Sequence, residues 1–250
     1  MANDGEKKRV QGGEMSTDLT FSAYMCDNSF VFPKILDMYV QEGSTIADVT
    51  YGTGVFWRRV DTSKYRFLPS DLKTGVDARH LPYENDTLDA AVLDPPYMEG
   101  LYREKSDNLA GDGSHASFRE YYSNGEETHD KQLKYHDKVL DMYLSIGVEV
   151  RSKLRDGGIF IVKCQDEVSA NRQKLTHVEL IYAYEKMGFY CDDLIVVMRP
   201  NKPCVSRIKN QVHTRKNHSY FLVFRLQKDL KRKLPYSNFG ELLTSYPVRG

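Results

Sequence analysis

The chain has 250 residues, with 35 basic and 35 acidic side chains, so its formal net charge is zero. Apolar residues make up 40% and charged residues 28%, a globular composition that excludes a largely disordered, collagen-like or coiled-coil chain. No apolar run approaches the ~20 residues of a membrane-spanning helix. Residues 1–18 lack the apolar core of a signal peptide. We therefore expect a cytoplasmic protein with no membrane partner.

The cysteines indicate neither a zinc site nor a disulfide framework. They lie at positions 26, 164, 191 and 204, and no two of them form a CxxC pair. Reduced thiols in a cytosolic protein are the natural interpretation, and no metal is expected.

The predicted elements begin after a polar N-terminal tail, residues 1–18. Apolar side chains at three- and four-residue spacings predict a helix over 31–41, followed by a glycine. Similar spacings predict helices over 137–155 and 177–187. Short apolar runs predict buried strands at 45–49, 65–68, 88–93 and 158–163. This alternation predicts an α/β fold in which helices cover both faces of a parallel sheet.

The C-terminal part of the chain differs from this alternation. Apolar runs at 194–198 and 219–226 have no helical pattern between them, which predicts an antiparallel hairpin. Residues 198–233 carry 11 basic side chains and one acidic side chain, a balance of 11 − 1 = +10. The hairpin loop, 199–218, is therefore a candidate phosphate-binding surface, although a solvated basic loop would explain the same charge.

The sequence predicts a domain over residues 19–230 and a C-terminal tail over 231–250. A long segment within the domain, 98–135, is rich in Gly, Ser, Asn and Tyr and has little apolar pattern. We expect it to be a mobile loop that becomes ordered on a substrate.

A glycine turn follows the first strand of the alternation, between Asp48 and Gly54. Glycine lets the backbone approach a ligand closely at the carboxyl edge of a parallel sheet, although a GxG pair alone also fits a plain turn. Asp71 follows the second strand, where a carboxylate can bind ribose hydroxyls, and Asp77 lies shortly before the third. Carboxylates at successive strand ends predict a nucleoside-binding site.

The tetrapeptide Asp94-Pro95-Pro96-Tyr97 directly follows the strand predicted at 88–93. Its prolines restrict the backbone and donate no N–H, so the Asp94 carboxylate and the Pro95 carbonyl would be rigid acceptors beside an aromatic ring. Two acceptors and one stacking surface suit a planar base with an exocyclic amino group. A tight turn without chemical function is the plainer alternative.

In these two motifs the sequence resembles the S-adenosylmethionine-dependent amino-methyltransferases of DNA, over about residues 20–226. The resemblance implies a single Rossmann-like class I methyltransferase domain, with a mostly parallel seven-stranded sheet and a C-terminal antiparallel hairpin. It implies methyl transfer from S-adenosylmethionine to the amino group of a base flipped out of double-stranded DNA. The DPPY form is more typical of adenine N6 than of cytosine N4. A prokaryotic or phage-encoded protein, of the kind found in restriction-modification systems, is expected.

The resemblance also implies three sets of site residues. The catalytic set is Asp94, Pro95, Pro96 and Tyr97. The cofactor set is Phe32, Pro33, Asp48, Thr50, Gly52, Gly54, Asp71, Asp77 and Ala78, with Asp48 near the methionine moiety, Asp71 on the ribose and Asp77 facing the adenine. The nucleic-acid set is Arg207, Lys209, Arg215, Lys216, His218 and Tyr220, of which the last two lie in the segment expected against the flipped base.

Several alternatives share this pattern. An N4-cytosine methyltransferase of DNA has the same architecture, and so does an RNA guanine-N2 methyltransferase, although the segment before the first strand and the basic hairpin favour DNA. A methyltransferase of glutamine amides would more typically carry Asn-Pro-Pro-Tyr. The alternative outside enzymes is a DNA-binding protein on an inactive methyltransferase fold, against which the intact Asp94 and glycine turn weigh. Only sixteen residues separate Asp77 from Asp94, so base-sequence recognition would come from the 98–135 loop, the basic hairpin loop, a homodimer or another partner.

Overall fold

The structure is a computed structural model, and it describes residues 19–97, 133, 136–200 and 210–228. The predicted tails, 1–18 and 231–250, lie outside the described residues, as does almost all of the predicted loop 98–135. Residues 201–209 of the basic loop also lie outside them.

Strands and helices follow one another along the described chain, with only short 3₁₀ helices between the second, third and fourth strands. Three α-helices are described: α1 (Asn28–Tyr39), α2 (His136–Lys153) and α3 (Thr176–Lys186). The strands are β1 (Ala23–Met25), β2 (Thr45–Asp48), β3 (Arg66–Pro69), β4 (Leu88–Leu93), β5 (Leu154–Cys164), β6 (Glu167–Ser169), β7 (Arg172–Lys174), β8 (Phe189–Met198) and β9 (His218–Leu226).

Seven of these strands form one sheet, in the order β1-β8-β9-β5-β4-β2-β3. Neighbouring strands are parallel except at β9, which runs antiparallel to both β5 and β8. Strands β6 and β7 form a separate hairpin. The predicted fold class is confirmed: a mixed α/β fold with a mostly parallel seven-stranded sheet and an antiparallel C-terminal hairpin.

The sheet has an apolar core on each face, because side chains alternate between the faces along every strand. One core contains α1 side chains such as Phe32 and Ile35, with Ile46, Val92 and Ile161 from the sheet. We call this side the α1 face. The opposite core lies between the sheet and helices α2 and α3. It contains the buried apolar residues of these helices and the sheet side chains that point away from the α1 face. Helices on both faces are therefore confirmed.

Some element boundaries differ from the sequence prediction. Helix α1 begins at Asn28, three residues before the predicted start, because the Asp27 side chain accepts a hydrogen bond from the Ser29 N–H (2.8 Å) and caps the helix. Strand β8 begins at Phe189 rather than at residue 194. Its early part contains two aspartates, which are unusual inside strands, but Asp192 accepts a hydrogen bond from Arg225 Nε on β9 (2.9 Å).

Among the described residues, no helix is both long enough and apolar enough to cross a membrane. The same residues contain no group of three His, Cys, Asp or Glu side chains placed to hold a metal ion.

Candidate active site

Three strand ends carrying aspartates meet at the carboxyl edge of the sheet. Asp48 ends β2, Asp71 follows β3 and Asp94 follows β4, and the strand order β4-β2-β3 makes these ends neighbours. Hydrogen bonds join them: Gly52 N donates to Asp71 Oδ2 (3.1 Å), and Asp94 N donates to Thr50 Oγ1 (2.6 Å). The structure thus brings together the two motifs that the sequence separates by about forty residues.

The glycine turn is held by its own backbone and by the Asp48 carboxylate. Asp48 Oδ1 accepts a hydrogen bond from Thr50 N (3.0 Å), and Oδ2 accepts one from Trp57 Nε1 (2.6 Å). Gly52 and Gly54 have φ values of +54° and +66°, in the left-handed region that favours glycine. A Cβ atom on Gly54 would lie 2.4 Å from the hydroxyl oxygen of Tyr51. A side chain at this position would therefore strain the turn and collide with its neighbour.

The environment of Asp48 is strongly unfavourable for its charge. Its side chain is 4% exposed, and burial raises the pKa to about 7, with the charges of Asp94 and Asp71 adding to the effect. The hydrogen bonds from Trp57 and Thr50 act in the opposite direction. Three carboxyl groups at one sheet edge create a negative potential, so a cationic ligand would be favoured there.

The acidic residues beyond β3 have backbone and ion-pair roles in this structure. Asp71 caps the short 3₁₀ helix Leu72–Thr74 and accepts hydrogen bonds from Lys73 N (2.9 Å) through Oδ1 and from Gly52 N (3.1 Å) through Oδ2. Each carboxylate oxygen still has acceptor capacity for a ligand hydroxyl. Asp71 is therefore fixed in place beside the glycine turn.

Asp77, which the resemblance assigns to the cofactor adenine, forms an ion pair with Arg79. Arg79 Nη2 lies 2.6 Å from Asp77 Oδ2, and Arg79 Nε donates to the same carboxylate at 3.0 Å. Burial opposes ionisation of Asp77, but the hydrogen bonds and charge of Arg79 hold its pKa below the usual range. Ala78 is 1% exposed and belongs to the core on the α2 and α3 side.

The Asp94-Pro95-Pro96-Tyr97 turn follows β4 directly. Pro95 is buried, whereas Asp94, Pro96 and Tyr97 are half-buried. The Tyr97 hydroxyl donates a hydrogen bond to Asp94 Oδ1, which the sequence reasoning did not foresee. Burial raises the pKa of Asp94 to about 6, while the Tyr97 hydrogen bond and the charges of Lys163 and Arg199 lower it. Asp94 therefore titrates just below neutral pH.

Lys163 is a basic residue at this edge, and the sequence reasoning missed it. It lies near the end of β5, its residue is 1% exposed, and its Nζ lies 3.9 Å from the centroid of the Phe221 ring. Nζ has no hydrogen-bond partner among the described residues. Burial lowers its pKa to about 7, against the opposing effect of the Asp94 charge. The available signal was a lysine closing the apolar run of residues 158–163.

Two residues predicted to contact the cofactor lie in α1. Phe32 is fully buried and packs against the rings of Phe56, Trp57 and Phe221, at centroid distances of 5.4, 4.9 and 6.1 Å. Pro33 lies inside the helix. Phe32 thus supports the glycine turn from the core, because its neighbour Trp57 is the residue that bonds to Asp48.

The predicted nucleic-acid residues are only partly described. Arg207 and Lys209 lie outside the described residues, while Arg215 is exposed and Lys216 is half-buried. Gln165 Nε2 donates to the Lys216 carbonyl oxygen (3.4 Å), which holds this part of the loop near the end of β5. The structure therefore places the end of the basic loop at the sheet edge that carries Asp94.

Tyr220 is less available to a base than the sequence predicts. It is 8% exposed, and its ring stacks on His177 with a centroid distance of 4.2 Å. Its hydroxyl donates to Asp166 Oδ2 (3.2 Å), and His218 Nε2 lies 2.8 Å from the same hydroxyl oxygen. The half-buried His218 is the more accessible of the two residues at the start of β9.

Comparison with known proteins gives structural likenesses alone. No family model and no curated protein matches the sequence. Similar solved structures include a candidate DNA modification methylase of Thermus thermophilus crystallised with S-adenosyl-L-methionine (17% identity, TM-score 0.37, 65% of this chain and 58% of that one). Others are the PvuII cytosine-N4-specific DNA methyltransferase (19%, 0.40, 69% and 53%) and a SAM-dependent methyltransferase of Methanosarcina mazei (12%, 0.44, 77% and 97%).

The chain spans between half and three fifths of the length of the T. thermophilus and PvuII proteins. Likenesses at these identities and TM-scores carry no weight for activity. The function proposed below therefore depends on the residues of this chain.

Proposed function

We propose that this chain is an S-adenosylmethionine-dependent methyltransferase that methylates the N6 amino group of adenine in DNA. The observation that carries the proposal is the direct contact between the two motifs, in which Asp94 N donates to Thr50 Oγ1 within the glycine turn. This contact joins the glycine turn to the Asp94 turn at one sheet edge. A methyl donor and a methyl acceptor would have to meet in such a place.

The residues of the glycine turn suit this cofactor. S-adenosylmethionine, when bound, supplies a methyl group activated by a sulfonium cation. Asp48 and Asp71 beside the glycine turn give it a negative potential that favours such a cation. Gly52 and Gly54 allow close approach to the backbone, and Asp71 retains acceptor capacity for ribose hydroxyls. Thr50, which is predicted to contact the cofactor, would also link the glycine turn to the Asp94 turn.

The Asp94 turn suits an exocyclic amino group. The lone pair of such a nitrogen is delocalised into the ring, which makes it a poor nucleophile. Acceptance of its two hydrogens by the Asp94 carboxylate and the Pro95 carbonyl would favour a pyramidal, more nucleophilic nitrogen. Tyr97 donates to Asp94 Oδ1 and so leaves Oδ2 for the substrate. The hydroxyl thereby orients the acceptor, while the ring face would stack on the base.

The nucleic-acid side of the proposal depends on charge. Arg207, Lys209, Arg215 and Lys216 belong to a segment with a balance of +10, and the described part of that segment ends beside β5. Phosphate contacts would offset the few kcal/mol needed to flip a base from the duplex. His218 is the described residue best placed to face the base at the start of β9.

The decisive experiment is methylation of mixed DNA and RNA with labelled S-adenosylmethionine, followed by digestion and identification of the nucleoside. We expect N6-methyl-2′-deoxyadenosine in the DNA fraction. N4-methylcytosine would retain the mechanism and change the base, and a labelled guanine in RNA would favour the RNA alternative. A protein that binds DNA without binding the cofactor would support the non-enzymatic alternative.

The mechanism is tested by Asp94→Ala, which removes one of two acceptors while leaving the glycine turn intact. The loss of one preorganised group of this kind costs ~10²–10³ in rate. Asp137→Ala is the matched control, since Asp137 is an exposed aspartate in the first turn of α2. Cofactor affinity, measured by calorimetry, should change little in either variant. Wild-type turnover in Asp94→Ala would exclude this mechanism.

A further inference from the structure

We propose that Lys163 is a positioning residue that acts through Asp94: its buried ammonium holds the Asp94 carboxylate in the ionised form that accepts the substrate amino group. This inference rests on the proposed function and adds to it a residue outside both sequence motifs. Lys163 is the buried cation of the candidate site for which no hydrogen-bond partner is found among the described residues.

The strand register places the two side chains together. Leu93, the last residue of β4, pairs with Val162 on β5, and continuation of this register beyond β4 brings Asp94 beside Lys163. Val92 and Ile161, two residues earlier, both belong to the core on the α1 face. Because side chains alternate, Asp94 and Lys163 also point towards this face.

The side chain of Lys163 is enclosed. It is 1% exposed, it is opposite Phe221 in the β5–β9 register, and its Nζ lies over the Phe221 ring at 3.9 Å. An aromatic face stabilises a cation by about 0.5–2 kcal/mol, much less than the cost of burying an ammonium group. An apolar residue would therefore pack here at lower cost, which indicates a role other than stability.

The charges around Lys163 come from four elements. Asp94 follows β4 and favours the ammonium form. The Cys164 thiol on β5 and the Cys26 thiol after β1 would favour it only as thiolates, and burial raises the pKa of both thiols. Arg199, which follows β8, disfavours that form. Asp94 has the largest of these effects, and Lys163 in turn lowers the pKa of Asp94. Each group therefore favours the charged form of the other.

Loss of the ammonium should therefore leave Asp94 in a buried site without the cation whose charge most strongly favours its ionised form. An opposite charge at close range lowers a carboxyl pKa by about 1–3 units, so we expect Lys163→Met to raise the pKa of Asp94 by one to two pH units. From a starting value of about 6, this lowers the ionised fraction of Asp94 at pH 7 by roughly two- to tenfold. At pH 9 almost all of the Asp94 carboxyl groups in Lys163→Met should be ionised.

The first test measures single-turnover methyl transfer between pH 5.5 and 9 for the wild type, Lys163→Met and Lys186→Met. Lys186 is the matched control, because it also lies over an aromatic ring, that of Tyr182 at 5.4 Å, but is exposed on α3. We expect the acid limb of the rate profile to move upwards by one to two pH units in Lys163→Met alone. The rate lost at pH 7 should be recovered at pH 9.

The second test needs no cofactor and no activity. The ¹³C resonance of the Asp94 carboxyl group is followed against pH in aspartate-labelled protein and assigned by its absence in Asp94→Asn. We expect its midpoint to rise in Lys163→Met and to stay unchanged in Lys186→Met. An unchanged Asp94 midpoint in Lys163→Met would overturn the inference.

The two tests separate the possible failures. If the wild type is inactive but the Asp94 midpoint still rises in Lys163→Met, the proposed function is refuted and the electrostatic coupling is not. If the wild type is active and Lys163→Met shifts the Asp94 midpoint without moving the pH profile of the rate, the role of Lys163 in the reaction is refuted. A rate defect that is equal at pH 7 and pH 9 would also overturn it, since it would indicate a structural effect.

Discussion

Replacement of Lys163 by methionine is expected to stabilise the protein, by an amount that depends on pH. The lysine is 1% exposed, and its Nζ has no hydrogen-bond partner within the described part of the chain. Methionine has a similar length and no charge, so it can retain the packing against Phe221 while removing a buried ammonium group.

The magnitude follows from the two pKa values of the lysine. Burial lowers the pKa from 10.5 to about 7, so the unfolded chain holds a proton between these values that the folded chain lacks. The stability of the wild type therefore rises as the pH rises from 7 to 10.5. The interval of about 3.5 pH units, at ~1.4 kcal/mol each, corresponds to ~5 kcal/mol. This is an upper figure, because the variant also loses the favourable interaction with Asp94.

The assay is urea unfolding of both proteins at pH 7, 8.5 and 10, with Lys186→Met as the control. We expect Lys163→Met to exceed the wild type by a few kcal/mol at pH 7 and the difference to shrink steadily towards pH 10. The exposed Lys186 should show no such trend. A destabilised Lys163→Met with the same deficit at pH 7 and pH 10 would mean that the ammonium is well solvated or paired, and the reasoning from burial would be refuted.

Two further predictions concern the base and the DNA backbone. Tyr97→Phe keeps the stacking ring but removes the hydrogen bond to Asp94 Oδ1, so we expect a modest loss of turnover. Tyr97→Ala also removes the ring and should cause a severe loss. Equal losses for the two variants in steady-state assays would contradict a separate role for the ring. Neutralising Arg207, Lys209, Arg215 and Lys216 together should flatten the dependence of log K on log salt by up to ~0.9 per lost phosphate contact; an unchanged slope in DNA-binding titrations would mean that the basic loop is only solvated.

The strands and their order along the chain could be predicted because the apolar runs are short and bounded by turns. The glycine turn and Asp94 could be placed at one edge from the same pattern, since parallel strands end on the same side. Strand β1 could not be predicted: it has three residues and pairs only with β8. The β6–β7 hairpin likewise has short polar strands whose ladder forms apart from the main sheet.

Other features depended on contacts between distant residues. The early part of β8 is extended although it contains aspartates, because Arg225 on β9 donates to Asp192 (2.9 Å) and the Tyr39 hydroxyl of α1 donates to Asp193. The sequence indicated no partner for the Tyr97 hydroxyl, which donates a hydrogen bond to Asp94. The ring of Tyr220 was expected to face a base, yet it stacks on His177, more than forty residues earlier in the chain.

The position of Lys163 shows a pattern that the motifs alone do not. On three neighbouring strands, an apolar residue of the α1 face is followed two positions later by an ionisable one: Ile46 by Asp48, Val92 by Asp94 and Ile161 by Lys163. For each of these groups burial moves the pKa towards neutral, which lowers stability and gives a purely structural core no benefit. These three side chains lie at the carboxyl ends of their strands, at the edge where the two motifs meet. The unfavourable charges are therefore concentrated where a cationic cofactor and an amino group would have to be handled, which is the distribution expected of an active site.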